Sequence, residues 1–125
     1  MARNTGQKDA VKDVMRKARR PLTPPEVLER AAVVVPSLGI ATVYRHLKTL
    51  HEEGWLKCVD LPGEGTRYEL ASMGHHHHFK CDTCERVFDV PGCTSDVDEL
   101  APEGFVVKRH EVLLFGLCSE CADGQ

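Results

Sequence analysis

The sequence contains no apolar run long enough to cross a membrane, and its first eight residues, Met1 to Lys8, lack the apolar stretch of a signal peptide. We therefore expect a soluble, cytoplasmic protein that makes no membrane contact and keeps its cysteines reduced. A His-Glu-x-x-His motif, which metallopeptidases use to bind a catalytic zinc ion, is also absent. Together these absences argue against a membrane protein, a secreted disulfide-stapled domain and a zinc hydrolase, and we expect no enzyme activity.

Four of the six cysteines form two Cys-x-x-Cys pairs, Cys81 with Cys84 and Cys118 with Cys121. Each such turn brings two thiolates close enough to share one tetrahedral ion, so the two pairs supply the four sulfurs of a closed structural zinc site. The 33 residues between the pairs imply that the ion cross-links the start and the end of a folded domain. The alternatives are a disulfide pair and a thioredoxin-like redox turn, but redox turns occur singly and disulfides need an oxidising compartment. A structural Zn²⁺ is therefore the favoured interpretation.

The net charge of −3 conceals two halves of opposite sign. Residues 1–70 carry 12 Lys and Arg against 9 Asp and Glu, whereas residues 71–125 carry 4 against 10. A chain of 125 residues is long enough for one ordinary domain or two small ones, and a small domain gains little stability from its own apolar core. A basic N-terminal half joined to an acidic half with metal ligands suggests a protein that binds a polyanion under the control of a metal site.

The N-terminal half has the pattern of three helices. The apolar residues of the first helix recur at helical spacing and are Val11, Val14, Met15 and Ala18. Thr23 and Glu26 have the spacing of a capping box, and the two prolines between them favour the first turn of a second helix. A short loop leads to a third helix, whose apolar stripe consists of Ile40, Val43, Leu47 and Leu50. Helices joined by a short turn in this way are typical of a helix-turn-helix domain, whose last helix enters the DNA major groove.

The opposite face of the third helix carries side chains suited to DNA. These side chains are Thr42, Arg45 and Lys48, with Tyr44 at the edge of the face. Beyond Gly54, residues 55–61 and 66–70 are strand-like and flank a turn rich in glycine, which predicts a hairpin. A hairpin that follows a helix-turn-helix is a wing, so we expect an N-terminal winged-helix DNA-binding domain.

Three segments of the sequence match the pattern of one known family. They are Leu38-Gly39-Ile40-Ala41-Thr42-Val43-Tyr44-Arg45, the histidine run from His75 to His78 ahead of Cys81, and Gly116-Leu117-Cys118. In order and spacing they resemble the ferric uptake regulator family over nearly the whole chain, with the zinc uptake regulator type favoured. The resemblance implies a homodimeric, metal-dependent transcription regulator of α+β class that binds double-stranded operator DNA.

The resemblance also implies how the chain is organised. It predicts a winged-helix domain at residues 1–71, a hinge at residues 72–75, and a small α/β dimerisation domain with the structural zinc site at residues 76–125. It places Tyr44 and Arg45 on the DNA-reading helix, and Arg3 or Lys8 near the minor groove.

One metal site of the family lies at the hinge, and the resemblance assigns Glu69, His76 and His78 to it. The histidine that usually completes this site is replaced here by Pro21. A water molecule, a second carboxylate oxygen or Cys58 is therefore needed as a further ligand. Cys58 is better explained as a small apolar residue packed inside the wing.

A strand points alternate side chains to opposite faces, so the histidine run is able to serve two sites. The resemblance assigns His75 and His77 to a second site, together with His110, which lies eight residues before Cys118. The remaining ligand in the family is a carboxylate. Because this chain is a few residues shorter in that region than the family pattern, two candidates stay open for that ligand: Cys93 and Asp96.

Imidazole and thiolate ligands make a softer site than carboxylates do, so His77 and Cys93 favour zinc over iron or manganese. We therefore expect a repressor of metal-uptake or metal-homeostasis genes that binds DNA when a second, regulatory divalent metal, Zn²⁺ above others, is present. An iron- or manganese-responsive regulator of the same family is the alternative. A zinc buffer or chaperone without DNA binding is the alternative from another class.

Overall fold

The computed structural model describes residues 2–61, 63, 65–73, 76–93 and 95–123, without the side chains of residues 2–5, 73 and 95. The chain divides into two compact units, Met1–Gly74 and His75–Gln125. Both units combine helical segments with strands, so the expected α+β class is confirmed. Within the described ranges, no helix has the length and apolar character needed to span a membrane.

The first unit is a three-helix domain followed by a hairpin. Its elements are α1 (Ala2–Ala18), α2 (Pro24–Ala31), α3 (Ile40–Glu52), β1 (Leu56–Leu61), β2 (Gly65–Leu70) and a 3₁₀ turn (Ala71–Met73). The two strands pair antiparallel, with Leu56 opposite Leu70. The segment before α2 joins the hairpin through two hydrogen bonds of 2.9 Å between the backbones of Leu22 and Tyr68. This arrangement is a winged helix, as the sequence predicts.

Local sequence signals define the ends of the second and third helices. The Thr23 hydroxyl accepts a hydrogen bond from the backbone amide of Glu26, and the Glu26 carboxylate accepts one from the Thr23 amide, which completes a capping box. Helix α3 ends at Glu52, and Gly54 follows with a φ of +82°, a conformation that glycine adopts at little cost. The turn at Gly54 thus fixes the point at which α3 ends and the chain enters the first strand of the wing.

One apolar core joins the three helices to the hairpin. Its fully buried members include Met15, Leu22, Val27, Val43, Leu47 and Leu50. Ile40 was expected in the same stripe, but 41% of it is exposed. The reason is positional, because Ile40 is the first residue of α3 and precedes the turns that pack against the core. The buried stripe fixes which face of α3 points outward.

The second unit is a small sheet with short helical segments. Its elements are β3 (His77–Cys81), β4 (Val87–Val90), a 3₁₀ helix (Ser95–Leu100), β5 (Leu113–Gly116) and α4 (Ser119–Asp123). The strand order is β4-β3-β5, with β4 antiparallel and β5 parallel to β3. Among its described apolar residues, Cys81 and Val87 alone are buried. So small a core needs another source of stability, such as a metal cross-link.

Candidate metal centres and nucleic-acid interface

The four paired cysteines converge at one end of the second unit. Cys81 ends β3, Cys84 lies in the turn that follows, Cys118 lies two residues after the end of β5, and Cys121 lies in α4. Their sulfurs all lie within 4.8 Å of one another, and the Sγ atoms of Cys84 and Cys118 are 3.8 Å apart. Sulfurs at these separations can share one tetrahedral ion, so the residues fit a closed structural zinc site.

Backbone amides prepare one of the four thiols for ionisation. The amides of Cys84 and Cys118 donate to Cys81 Sγ at 3.5 and 3.4 Å, and these bonds lower the pKa of Cys81 to about 6. Hydrogen bonding to the sulfurs of Cys81 and Cys118 instead raises the pKa of Cys121 to about 12. The set therefore shares protons among closely packed sulfurs, and binding of a divalent cation would release them.

A second cluster lies on one face of β3 and contains His77, Cys93 and His110. Cys93 Sγ is 3.3 Å from His77 Nε2 and 2.8 Å from His110 Nε2. The outer nitrogens of both rings are also engaged. The backbone amide of Val112 donates to His77 Nδ1 at 3.1 Å, and Asp98 Oδ1 lies 2.8 Å from His110 Nδ1. One sulfur and two imidazole nitrogens form a donor set suited to zinc or another borderline-soft divalent metal.

The sequence left the non-histidine ligand of this site open between Cys93 and Asp96. Among the described residues, the cluster around His110 includes Cys93 and does not include Asp96, which is exposed in the 3₁₀ helix. His75, the further predicted ligand, lies outside the described residues. Sequence reasoning missed Asp98, whose signal in the sequence is its position two residues after Asp96 on the same short segment.

A third cluster lies on the other face of β3 and contains His76, His78 and Asp89. Asp89 Oδ1 is 3.0 Å from His76 Nε2 and 3.6 Å from His78 Nε2. The two imidazole rings pack edge to face, with their centroids 4.9 Å apart. Sequence reasoning missed Asp89, although the antiparallel pairing that sets it opposite His78 follows from the short turn between β3 and β4.

Glu69, the carboxylate that the sequence adds to His76 and His78, belongs to the first unit. It lies in β2 directly opposite Lys57, with its Oε1 atom 3.6 Å from Lys57 Nζ. Pro21 occupies the position of the usual family histidine and offers no ligand atom. Cys58 is half-buried in β1, and burial raises the pKa of its thiol. That environment favours a packing role for Cys58, while the participation of Glu69 stays a prediction.

The outward face of α3 carries the predicted DNA-contacting residues. Tyr44 is 51% exposed, Arg45 and Lys48 are exposed, and Thr42 is half-buried. Lys8, by contrast, forms an exposed ion pair with Glu53, with Nζ 3.2 Å from Oε2. Arg3 lies in α1, and its side chain is outside the described part of the chain. The structure thus presents a polar, basic and aromatic surface on the one helix that a winged-helix domain uses to read a groove.

Comparison with known proteins gives consistent matches. The ferric uptake regulator family model matches residues 1–115. The ferric uptake regulation protein of Campylobacter jejuni is 35% identical over 88 residues, which cover 68% of this chain and 56% of that protein. The peroxide operon regulator of Bacillus subtilis is 27% identical over 124 residues, covering 96% of this chain and 84% of that protein.

A solved structure, described as a zinc-bound manganese uptake regulator, superposes with a TM-score of 0.78. It is 23% identical and covers 90% of this chain and 87% of its own, so the likeness concerns the fold. This chain spans 56% of the length of the Campylobacter relative. The assignment to a family therefore rests on the family model, which matches most of the chain. Members of that family are transcription regulators and not enzymes. The chain belongs to the ferric uptake regulator family.

Proposed function

We propose that this protein is a homodimeric, metal-dependent DNA-binding repressor that senses a divalent metal, with zinc favoured, and controls metal-uptake or metal-homeostasis genes. The observation that carries the proposal is that the histidines of the run contact two different ligand clusters. His76 and His78 meet Asp89, whereas His77 meets Cys93 on the opposite face of β3. One strand thus contributes to two ligand clusters beside a closed set of four cysteines, so the closed set is suited to a structural ion and the two clusters are left for a regulatory one.

The DNA-binding half of the proposal rests on α3. Tyr44 and Arg45 are exposed on its outer face, where an arginine is able to bond guanine edges and an aromatic ring to contact a thymine methyl group. Lys48 adds a phosphate contact, which supplies salt-dependent affinity without sequence preference. In a homodimer the two α3 helices would lie about 34 to 36 Å apart, one turn of DNA.

Support for a homodimer comes from the apolar surface of the second unit. Strand β5 is an edge strand of its sheet, and it exposes Leu114 and Phe115. Phe105 is 70% exposed and Val106 82% in the segment that leads to β5. Exposed apolar residues beside an open sheet edge are the features that a partner normally covers. We propose a second copy of this chain as that partner.

The preference for zinc rests on the ligand types. The His77, Cys93 and His110 cluster supplies sulfur and nitrogen, which bind zinc better than they bind manganese. Two histidines and Asp89 form the other cluster, with Glu69 from the first unit as a further proposed ligand. Oxygen ligands are more accommodating toward iron and manganese, and named relatives include iron, peroxide and manganese regulators. An iron- or manganese-responsive regulator is therefore the alternative.

Bound at these clusters, the metal would cross-link side chains and neutralise carboxylate charge, and so favour one arrangement of the dimer over others. DNA would favour the same arrangement, so metal and operator would each tighten the binding of the other by one common factor. The release of the metal would then lower the affinity for the operator and relieve repression.

Replacing His76 with alanine tests the regulatory role of the third cluster. We expect the variant to stay folded and to keep the zinc of its four cysteines, because His76 lies outside that set. The metal-induced gain in operator affinity, which is typically about 5- to 150-fold for allosteric coupling, should fall to near unity. Fluorescence anisotropy of a labelled operator duplex, titrated with protein at fixed free Zn²⁺, measures the gain.

The matched control for this prediction is His51→Ala, which removes an exposed histidine at the end of α3 that belongs to none of the ligand clusters. It should keep the full metal dependence. If His76→Ala also keeps the full dependence, the regulatory site is assigned to the wrong residues.

A further inference from the structure

The two histidines of the second cluster are held in different ways. His110 Nδ1 faces the carboxylate of Asp98 at 2.8 Å, and its Nε2 faces Cys93 Sγ at 2.8 Å. A carboxylate accepts hydrogen bonds, so Nδ1 carries the ring proton. In the neutral ring, Nε2 then presents its lone pair toward the sulfur, and this is the tautomer that binds a metal through Nε2.

The outer nitrogen of His77, Nδ1, faces a hydrogen-bond donor, whereas that of His110 faces an acceptor. The backbone amide of Val112 can only donate, so Nδ1 of His77 accepts and the proton of the neutral ring lies on Nε2, facing Cys93. Coordination through that nitrogen would require the ring to turn away from the Val112 amide. His110 and Cys93 are therefore the preformed half of the site, and His77 is a ligand that must reorient.

The geometry points to Asp98 as the positioning residue of the second metal site, acting through His110; this inference rests on the proposed metal-sensing function. Asp98 lies on the 3₁₀ helix Ser95–Leu100, shortly after Cys93, whereas His110 lies on the segment that leads into β5. Their hydrogen bond thus ties together the two segments that carry the preformed ligands. It holds the ring in its binding tautomer and keeps its nitrogen beside the sulfur.

The expected loss of metal affinity can be taken from other proteins in which a carboxylate hydrogen-bonds a metal-binding histidine. Removal of a carboxylate that bonds a metal-binding histidine typically weakens metal affinity by about 10- to 100-fold. We expect a loss in this range for Asp98→Ala. Asp98→Asn should lose less, because an amide oxygen still accepts the proton of Nδ1. Glu99→Ala is the matched control, since it removes the neighbouring exposed carboxylate on the same 3₁₀ helix, which lies outside the described cluster around His110.

The experiment uses full-length protein with its four-cysteine site loaded with zinc and titrates Co²⁺ into the remaining sites. The sulfur-to-cobalt charge-transfer band that Cys93→Ser abolishes reports the second site alone, since Cys93 is the sole cysteine of that cluster. We expect the midpoint of this band to shift to about 10- to 100-fold higher free Co²⁺ in Asp98→Ala and to stay unchanged in Glu99→Ala. Zinc content and melting temperature should match wild type in both variants.

Three outcomes separate the possible failures. If wild-type protein shows no band that Cys93→Ser removes, the second metal site itself is absent, and the inference falls with it. If the band is present but Asp98→Ala and Glu99→Ala have the same midpoint, Asp98 does not position His110. If Asp98→Ala loses its fold, Asp98→Asn decides: a shifted midpoint with an unchanged melting temperature supports the inference, and an unshifted midpoint overturns it.

Discussion

Replacing Cys81 with serine is expected to unfold the second unit or to dissociate the proposed dimer into monomers. The zinc content should fall from about one tightly held ion per chain to near zero. Cys81 is fully buried and receives hydrogen bonds from the amides of Cys84 and Cys118, so it is the central sulfur of the set. Structural zinc contributes roughly 10 to 16 kcal/mol in small zinc-finger peptides, whereas whole domains are stable by about 5 to 15 kcal/mol. A unit with so little apolar core cannot absorb that loss. Metal analysis, circular dichroism and sedimentation measure the three effects.

Cys58→Ser provides the matched control for this prediction, because Cys58 is half-buried in the wing and belongs to none of the ligand clusters among the described residues. It should keep its zinc, its secondary structure and its oligomeric state. A Cys81→Ser protein that remains folded and dimeric after zinc is removed would contradict the structural role of the four cysteines.

Replacing Tyr44 and Arg45 together with alanine is expected to weaken operator binding by roughly 1,000-fold or more. Each lost base contact costs about 1 to 3 kcal/mol, and a dimer loses two contacts in each of its two copies. Both residues are exposed on α3, so their removal should leave the melting temperature and the metal content close to wild type. Anisotropy titrations at a fixed salt concentration measure the loss, and thermal unfolding confirms the fold.

Lys108→Ala is the control, because it removes one exposed positive charge from the second unit and leaves α3 intact. It should change operator affinity little. The double variant also separates a regulator from a zinc buffer. A buffer would lose nothing measurable with Tyr44 and Arg45, so unchanged DNA affinity in the double variant would contradict the proposed function.

Much of the first unit follows from local sequence signals. The capping box at Thr23 and the glycine after α3 are read directly from residue types, and they fix where helices begin and end. The stripe of Val43, Leu47 and Leu50 predicts the buried face of α3, and thus the exposed face that carries Arg45. The expectation that Ile40 is buried with this stripe was wrong, because the spacing of apolar residues does not show at which residue a helix begins to pack against the core.

The second unit is less predictable, because its ligand clusters depend on contacts between distant segments. Cysteine spacing alone predicts the four-sulfur set, since each half is a local turn. Asp89 joins His76 and His78 through the β3–β4 hairpin, and its place opposite His78 follows only once the register of that hairpin is known. Asp98 joins His110 across a loop, so no residue spacing reveals this contact. Counting residues in a shortened loop does not decide whether Cys93 or Asp96 is the ligand beside His110. In the fold, the sulfur of Cys93 contacts His110.

The most direct test of metal-dependent repression is the affinity of wild-type protein for DNA with and without the regulatory metal. A duplex is first selected from a random-sequence pool by zinc-loaded protein, and mild chelation then removes the regulatory metal while the four-cysteine zinc stays bound. We expect added Zn²⁺ to tighten binding by about 5- to 150-fold, at a lower free concentration than Fe²⁺ or Mn²⁺ requires. Affinity that is the same in chelator and in all three metals would contradict the proposed function.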